Sequence, residues 1–455
     1  MFQILNWDYR EKDNAVAFQF ESATHGHFTE TVTFPEVCRL GAVIDTPECR
    51  ALVDLAAFYV GISYYKTAAE NRLVSKLALS SSSQASVVAL YTDGLGEFYA
   101  RNALDFPPDL TVEIPQLSSN TIESLTLHTR EASHPEPLNP IVAFGGGKDS
   151  HVALSLLQRA AIEYTVVSVV LAEAVKERLA AMTDQTIHWI HRTIDPRLIT
   201  LNQSDDVYNG HIPITAINSV LLSIMAMGTG ANAVVFSNER GASVATREYR
   251  GHPVNHQYSK SLEFEQYYRK ALWSIAENRL DYFSVLRGYS ELWIARYAAT
   301  EVTGQHHRMA SCNRNFVFSG PKALPSHQRW CGQCSKCVFS AIIFAPHLSK
   351  AEFIALFDAD ILNDADNITH ANNLTGLGTA KPWECVGDMQ DTASSIAVLS
   401  DHAEWSDSVV VSSLIKTLPA HYDVEQLKQR YDEQLVSYTQ NCVPDALQQT
   451  LLAAL

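Results

Sequence analysis

The sequence predicts an α/β protein built on a parallel sheet. An added N-terminal α+β domain (1–135) and a mainly helical C-terminal region (346–455) flank the core (141–345). Three observations carry this reading. A short apolar strand, residues 141–144, runs into glycines and then a helical pattern, residues 150–159. Strands and helices alternate from there to residue 238, which argues for a parallel sheet covered on both faces. Beyond residue 345 the strand pattern stops and helical spacing takes over.

Taken in order, residues 16–20 and 29–34 alternate like strands of a half-exposed sheet. Residues 47–79 have a helical pattern that the sequence breaks at Gly61. A serine patch, residues 80–83, is followed by a strand-like run, residues 87–91, and a turn at Asp93-Gly94. Pro135, Pro137 and Pro140 mark a linker over residues 131–140, because proline lacks an amide donor. In the core, residues 165–171 read as a second strand and 173–182 as a second helix. Residues 207–238 contain no Asp, Glu, Lys or Arg. Pro213, Gly228 and Gly230 interrupt them, so they read as a buried helix, a glycine turn and a strand at 233–236. A membrane span needs about 20 predominantly apolar residues. The C-terminal helical pattern is interrupted by a loop around residues 376–387.

Composition narrows the function. The chain has 455 residues, 46% hydrophobic and 18% charged, which allows a sizeable core and argues against disorder. Its formal charge of −16 disfavours a nucleic-acid partner, whose footprint is basic. Of the eight cysteines, Cys38, Cys49, Cys385 and Cys442 are scattered, and the other four cluster. That distribution, with no signal-peptide pattern at the N-terminus, predicts a cytoplasmic protein without a membrane partner. The oligomeric state is not readable.

The sharpest motif is Gly145-Gly-Gly-Lys-Asp-Ser150 between strand and helix. Glycines let backbone amides approach phosphate oxygens, and the helix N-terminus adds partial positive charge. A Walker A loop fails, since Val142 and Asp149 stand where glycine and Ser/Thr belong. The dinucleotide fingerprint fails at Ser150. The motif resembles the PP-loop of the ATP pyrophosphatases, Ser-Gly-Gly-x-Asp-Ser, with Gly145 in place of the first serine. That resemblance implies the adenine nucleotide alpha hydrolase-like fold. It implies ATP cleavage to AMP and diphosphate, with Gly145, Gly146, Gly147 and Ser150 on the phosphates. Asp149 would place Mg2+, and Lys148 occupies the free position.

Cys331, Cys334 and Cys337 have tight-turn spacing, and Cys312 can complete a set of four thiolates. Such a set makes a closed, structural zinc site. An iron–sulfur cluster and unmetallated buried thiols are the alternatives. A similar cluster closes the PP-loop domain of the 7-cyano-7-deazaguanine synthases.

Ser237-Asn-Glu239 ends a strand at the edge where open α/β sheets bind ligands. The stretch that follows, residues 240–270, carries six Lys/Arg against three Asp/Glu. It is the expected landing place for anionic substrates in an acidic protein.

Seven stretches together resemble the bacterial ATP-dependent UDP-N-acetylmuramoyl-L-alanyl-L-glutamate epimerases. They are Gly61-Ile-Ser-Tyr-Tyr-Lys66, Gly94-Leu-Gly-Glu-Phe98, Phe144 to Ser150, Ser237 to Glu239, Val254 to Ser261, Cys331 to Cys337 and Lys381-Pro-Trp-Glu-Cys-Val-Gly387. The resemblance implies inversion of the terminal L-glutamate of a UDP-muramoyl dipeptide, with the carboxylate adenylated at the expense of ATP. Lys148 and Asp149 are catalytic candidates of the loop, and Ser237 joins the nucleotide contacts. His256, Lys260, Glu239, His151 and Cys385 are candidates for the proton-handling groups, and sequence leaves the choice among them open. Residues 61–66 and 94–98 are expected to close over the UDP-muramoyl part. The rival readings are another PP-loop ligase acting on a nucleobase or tRNA, and a non-catalytic ATP-binding regulator.

Overall fold

The computed structural model describes residues 1–117, 137–277, 279–302, 304–317, 324–325 and 328–455. Its strands are β1 (Phe2–Arg10), β2 (Ala15–Ser22), β3 (Gly26–Thr33), β4 (Arg72–Ser75), β5 (Thr111–Glu113), β6 (Pro140–Ala143), β7 (Thr165–Val170), β8 (Ile187–Thr193), β9 (Ala233–Phe236), β10 (Arg247–Tyr249), β11 (His252–Val254) and β12 (Asp281–Ser284). Ten of them form one sheet in the order β12-β9-β6-β7-β8-β3-β2-β1-β4-β5, and β10 and β11 form a separate hairpin. The five core strands, β12 to β8 in that order, are parallel. β3 pairs antiparallel with β8 and leads into the antiparallel meander β3-β2-β1. The architecture is thus α/β with a mostly parallel sheet.

The central strands β6 and β9 are apolar because both their faces are covered. Ile141 and Val234 pack with the helices Pro47–Tyr65, Ile214–Thr229 and Leu262–Ala276. Their neighbours Val142 and Val235 point to the opposite face, against the helices Lys148–Arg159, Glu291–Thr300 and Ser335–Phe344. This period of two is the strand geometry, and burial on both sides is why the runs do not alternate with polar residues.

The N-terminal strands extend this same sheet. Where the two parts meet, Glu30 of β3 accepts a 2.6 Å hydrogen bond from Arg192 of β8, with both side chains buried. Tyr64 Oη donates to the other Glu30 oxygen at 2.9 Å. Residues 131–136 of the expected linker lie outside the described residues, and Pro140 opens β6.

Several N-terminal elements differ from expectation. Gly61 does not interrupt its helix, which runs unbroken from Pro47 to Tyr65. A Cβ there would come within 2.7 Å of Ile4, so the glycine serves close helix–sheet contact. Residues 72–75, read as helix, form β4. The strand-like residues 87–91 belong instead to the helix Ser81–Tyr91, which Ser80 caps by accepting the Ser83 amide at 3.2 Å. That N-terminal cap decides for helix over a short β-branched run. In the core, the buried helix Ile214–Thr229, the left-handed Gly230 and β9 follow as the sequence indicates. The C-terminal region is helical, from Lys350–Phe357 to Asp445–Ala453, with an irregular stretch between Thr375 and Met389. No helix among the described residues is long and apolar enough to cross a membrane.

Candidate active site

The sheet order reverses at β6. β7 and β8 lie on one side of it, and β9 and β12 on the other. Chain segments leave the C-terminal ends of β6 and β9 there, which is the usual ligand position in a parallel sheet. The glycine loop leaves β6, and Ser237-Asn238-Glu239 leaves β9. The topology thus brings the two motifs together.

The loop is tightly built. Gly146 has φ +73°, and a Cβ on it would come within 2.3 Å of Met182 Sδ. Gly147 caps the helix Lys148–Arg159, and a Cβ there would press to 3.0 Å on Ser311 Oγ. Ser150 Oγ accepts the Gly145 amide at 3.0 Å, closing the loop on itself. The Lys148 ammonium is buried between Asp149, at 2.5 Å, and Glu291. Burial opposes its charge, but the two carboxylates outweigh burial and raise its pKa.

Glu239 is buried beside this pair, and its Oε2 has no hydrogen-bond partner. Burial, then Glu291 and Asp149, push its carboxyl well above the ordinary carboxylate range. Asp149, Glu239 and Glu291 are thus near enough to perturb one another, while the Lys148 ammonium takes up Asp149 and Glu291. Arg287, fully buried and paired with Glu265 at 2.9 Å, donates to the carbonyls of Glu239 (2.6 Å) and Lys260. One guanidinium therefore fixes the backbone of both site segments.

On the other side of Lys260 stands a thiol centre. Lys260 Nζ lies 3.5 Å from Cys385 Sγ, and His256 Nε2 lies 3.7 Å from the same sulfur. His256 Nδ1 is hydrogen-bonded to the buried Glu97. Burial works against a Cys385 thiolate, but Lys260, His256 and Lys336 outweigh it and bring the thiol down to about 6. Burial likewise disfavours the His256 imidazolium, and Cys385 and Glu97 outweigh it, raising the ring to about 9. The two shifts favour the thiolate–imidazolium form of the pair. Cys385, then Asp149 and Glu239, support the Lys260 ammonium against burial. Lys260 is thus the cation shared by the thiol centre and the glycine-loop carboxylates.

The four clustered cysteines converge as expected. One sulfur from each lies within 4.8 Å of the others, with Cys312–Cys334 at 4.0 Å and Cys331–Cys337 at 3.7 Å. A tetrahedron with bonds of about 2.3 Å has sulfur–sulfur edges of about 3.8 Å. The set therefore fits a structural zinc. Cys334 also caps the helix Ser335–Phe344, accepting the Cys337 amide at 3.4 Å. In the first turn of that helix Lys336 donates to the Cys385 carbonyl, and its amide donates to Glu384 at 2.9 Å. The helix that Cys334 caps thereby anchors the loop that carries Cys385.

Sequence reasoning brought Lys148, Asp149, Glu239, His256, Lys260 and Cys385 to this edge. His151 lies elsewhere, packed on Phe144 and lowered to about 4 by burial. The basic stretch 240–270 does not offer a free cationic face. Arg250 pairs with Asp105, Arg269 with Asp281 at 2.7 Å, and Arg240 bonds Gln434. From that stretch Lys260 joins the site, alongside Lys148 and Lys336 from elsewhere in the chain. Residues 61–66 are packed inside: Tyr65 is buried and touches Tyr99 Oη at 3.3 Å, and buried Lys66 donates to Asn209 at 2.7 Å. Glu97, Glu291, Arg287 and Lys336 were missed. Glu97 and Lys336 sit inside quoted stretches, but nothing local marks them as site residues.

The fold is α/β, with a glycine loop at a strand-to-helix turn and a Lys260–Cys385–His256 cluster nearby. Comparison with known proteins supplies the family. Residues 1–285 match the MurL N-terminal domain and residues 308–429 the MurL C-terminal domain. A protein of Micromonospora sp. named UDP-N-acetyl-alpha-D-muramoyl-L-alanyl-L-glutamate epimerase is 35% identical over 86% of this chain and 84% of its own. Proteins of the same name from Salinispora tropica (36%, over 86% and 82%) and Xanthomonas oryzae pv. oryzae (34%, over 88% and 85%) are similar throughout. The chain belongs to this MurL family of epimerases, which are isomerases.

Proposed function

We propose that the protein inverts the terminal L-glutamate of UDP-N-acetylmuramoyl-L-alanyl-L-glutamate to D-glutamate, in peptidoglycan precursor synthesis, while ATP is cleaved to AMP and diphosphate. The substrate reading rests on the names of relatives that match over most of their own length. The observation that carries the ATP-dependent mechanism is Lys260. It stands between a glycine loop suited to phosphate and a thiolate suited to proton transfer.

The chemistry explains why such an epimerase would need both. A free carboxylate resists loss of its α-proton, because two adjacent negative charges would result. Joining the α-carboxylate to AMP removes that charge and makes the carbon acidic. In this reading the amides of Gly145–Gly147 and Ser150 hold phosphates, with Ser237 at the adjoining strand end. Asp149 would help place Mg2+, which would neutralise charge on the leaving diphosphate. Lys148 keeps the carboxylates ordered. The Cys385 thiolate takes the α-proton, and Lys260 and His256 hold its negative charge in place. A second group, with Glu239 as the candidate, returns a proton to the opposite face. Water then releases AMP. Zinc in the cysteine set would be structural.

The test is oxygen tracing with the purified protein, ATP and the dipeptide substrate. Isotope-labelled solvent oxygen should enter the product's α-carboxylate or AMP. Its absence from both would rule out an adenylated α-carboxylate. Diphosphate release that depends instead on a nucleobase or tRNA would move the protein to another ligase class.

A further inference from the structure

We propose that Glu97 is a positioning residue for the reaction: through His256 it holds Cys385 as the reactive thiolate, so that the N-terminal part of the chain controls the proton-transfer step. The inference rests on the reading that Cys385 handles the α-proton, and it adds a member that neither sequence reasoning nor the relatives' names assign.

Three observations carry it. The first is placement. A Cβ on Gly96 would come within 2.9 Å of Val254 Cγ1, so the helix Gly96–Arg101 presses directly on β11. That contact sets Glu97, 3% exposed, against His256, two residues beyond the strand. The second is orientation. The Glu97 carboxylate engages His256 Nδ1, and the His256 amide donates to Thr246 Oγ1 at 3.0 Å. With Nδ1 engaged, Nε2 is the ring nitrogen turned to Cys385. The third is that the carboxylate is itself tethered, its other oxygen accepting from Arg101 Nε at 2.5 Å. A thiol, a base within reach and a third group that orients the base make the arrangement of an activated thiolate.

The surrounding charges are accounted for. Cys385 faces Lys260, His256 and Lys336, with Asp149 and Glu239 beyond Lys260. Glu97 faces His256, His211 and Arg101, with Arg247 nearby. The His211 ring lies 4.4 Å from that of His256, and burial followed by His256 keeps it neutral. Glu97, His211 and His256 are close enough to share a cation, but Glu97 already engages His256 and Arg101.

Glu97→Gln keeps the shape and removes the charge. Without it the imidazolium is less favoured, and the thiolate loses part of its counter-charge. The readout is the ultraviolet absorbance of the Cys385 thiolate against pH, taken as the difference from Cys385→Ala in the same background. The midpoint should rise by about one pH unit, the size expected for loss of one nearby charge. Glu97→Asp should recover part of the shift. His256→Gln, at the other end of the same bond, should raise the midpoint as well, and serves if Glu97→Gln does not fold. In turnover, kcat near neutrality should fall about tenfold or more, with the KM for ATP little changed. An unchanged thiolate midpoint in either folded variant would overturn the proposal, and so would a metal ion held by Glu97, His211 and His256. Absence of any epimerase activity in the wild type would overturn the functional reading and leave the thiol titration standing as the test of this one.

Discussion

Lys260 Nζ lies 3.5 Å from Cys385 Sγ, although 125 residues separate them in the chain. This contact joins the two halves of the candidate site, because the same ammonium is attracted to Asp149 and Glu239. Lys260→Met should therefore raise the Cys385 pKa and lower kcat by about 10- to 100-fold near pH 7, since one nearby charge is worth about one to three pKa units. The thiolate absorbance and the rate, measured together, check this. A rate loss without a thiol shift would place Lys260 in substrate binding instead.

The thiolate–imidazolium pair sets a pH window. Cys385 must be deprotonated, so activity should fall as pH drops through about 6. His256 must be protonated, so activity should fall again as pH rises through about 9. The macroscopic midpoints belong to the pair. A bell-shaped kcat profile is the expected outcome, and a profile flat from pH 5 to 7 would contradict it.

Gly146→Ala should abolish ATP-dependent diphosphate release. The position has φ +73°, and a methyl would meet Met182 Sδ at 2.3 Å. The left-handed conformation alone costs a non-glycine residue about 1–3 kcal/mol. Thermal unfolding should show a loss of that order, and the diphosphate assay a far larger one.

Cys331→Ser should release zinc and destabilise the protein on the order of 4 kcal/mol, as loss of a structural metal does. It should also loosen Lys336 from the Cys385 carbonyl, so iodoacetamide should modify Cys385 at a changed rate. Metal content, melting and thiol labelling check the three parts. A variant that keeps its metal and its melting point would remove the staple from the account.

Glu30→Ala tests the seam between N-terminal strands and core. It leaves Arg192 buried and unpaired, which costs about 3–5 kcal/mol. Chemical denaturation should show this as a lower midpoint.

The core was legible in the sequence where geometry is local. The strand, glycine loop and helix at 141–159, and the helix, Gly230 turn and β9, depend on neighbours a few residues apart. The N-terminal errors have the opposite origin. Gly61 looks like a helix breaker until Ile4 is seen against it, and residues 87–91 look like a strand until Ser80 is seen as a cap. β8 escaped notice because His188, His191 and Arg192 make it look polar, yet Arg192 is buried against Glu30. At the site, the quoted stretches offered Asp149, Glu239, His256, Lys260 and Cys385 as candidates, and the fold sets them at one edge. It could not find Glu97 or Glu291, whose role lies wholly in what the fold places beside them.

The most direct measurement is a chiral assay of the purified protein with ATP, Mg2+ and UDP-N-acetylmuramoyl-L-alanyl-L-glutamate. Product hydrolysis should yield D-glutamate, with AMP and diphosphate formed only when ATP and the dipeptide substrate are both present. Inversion that proceeds without ATP, or ATP cleavage to ADP, would contradict the account.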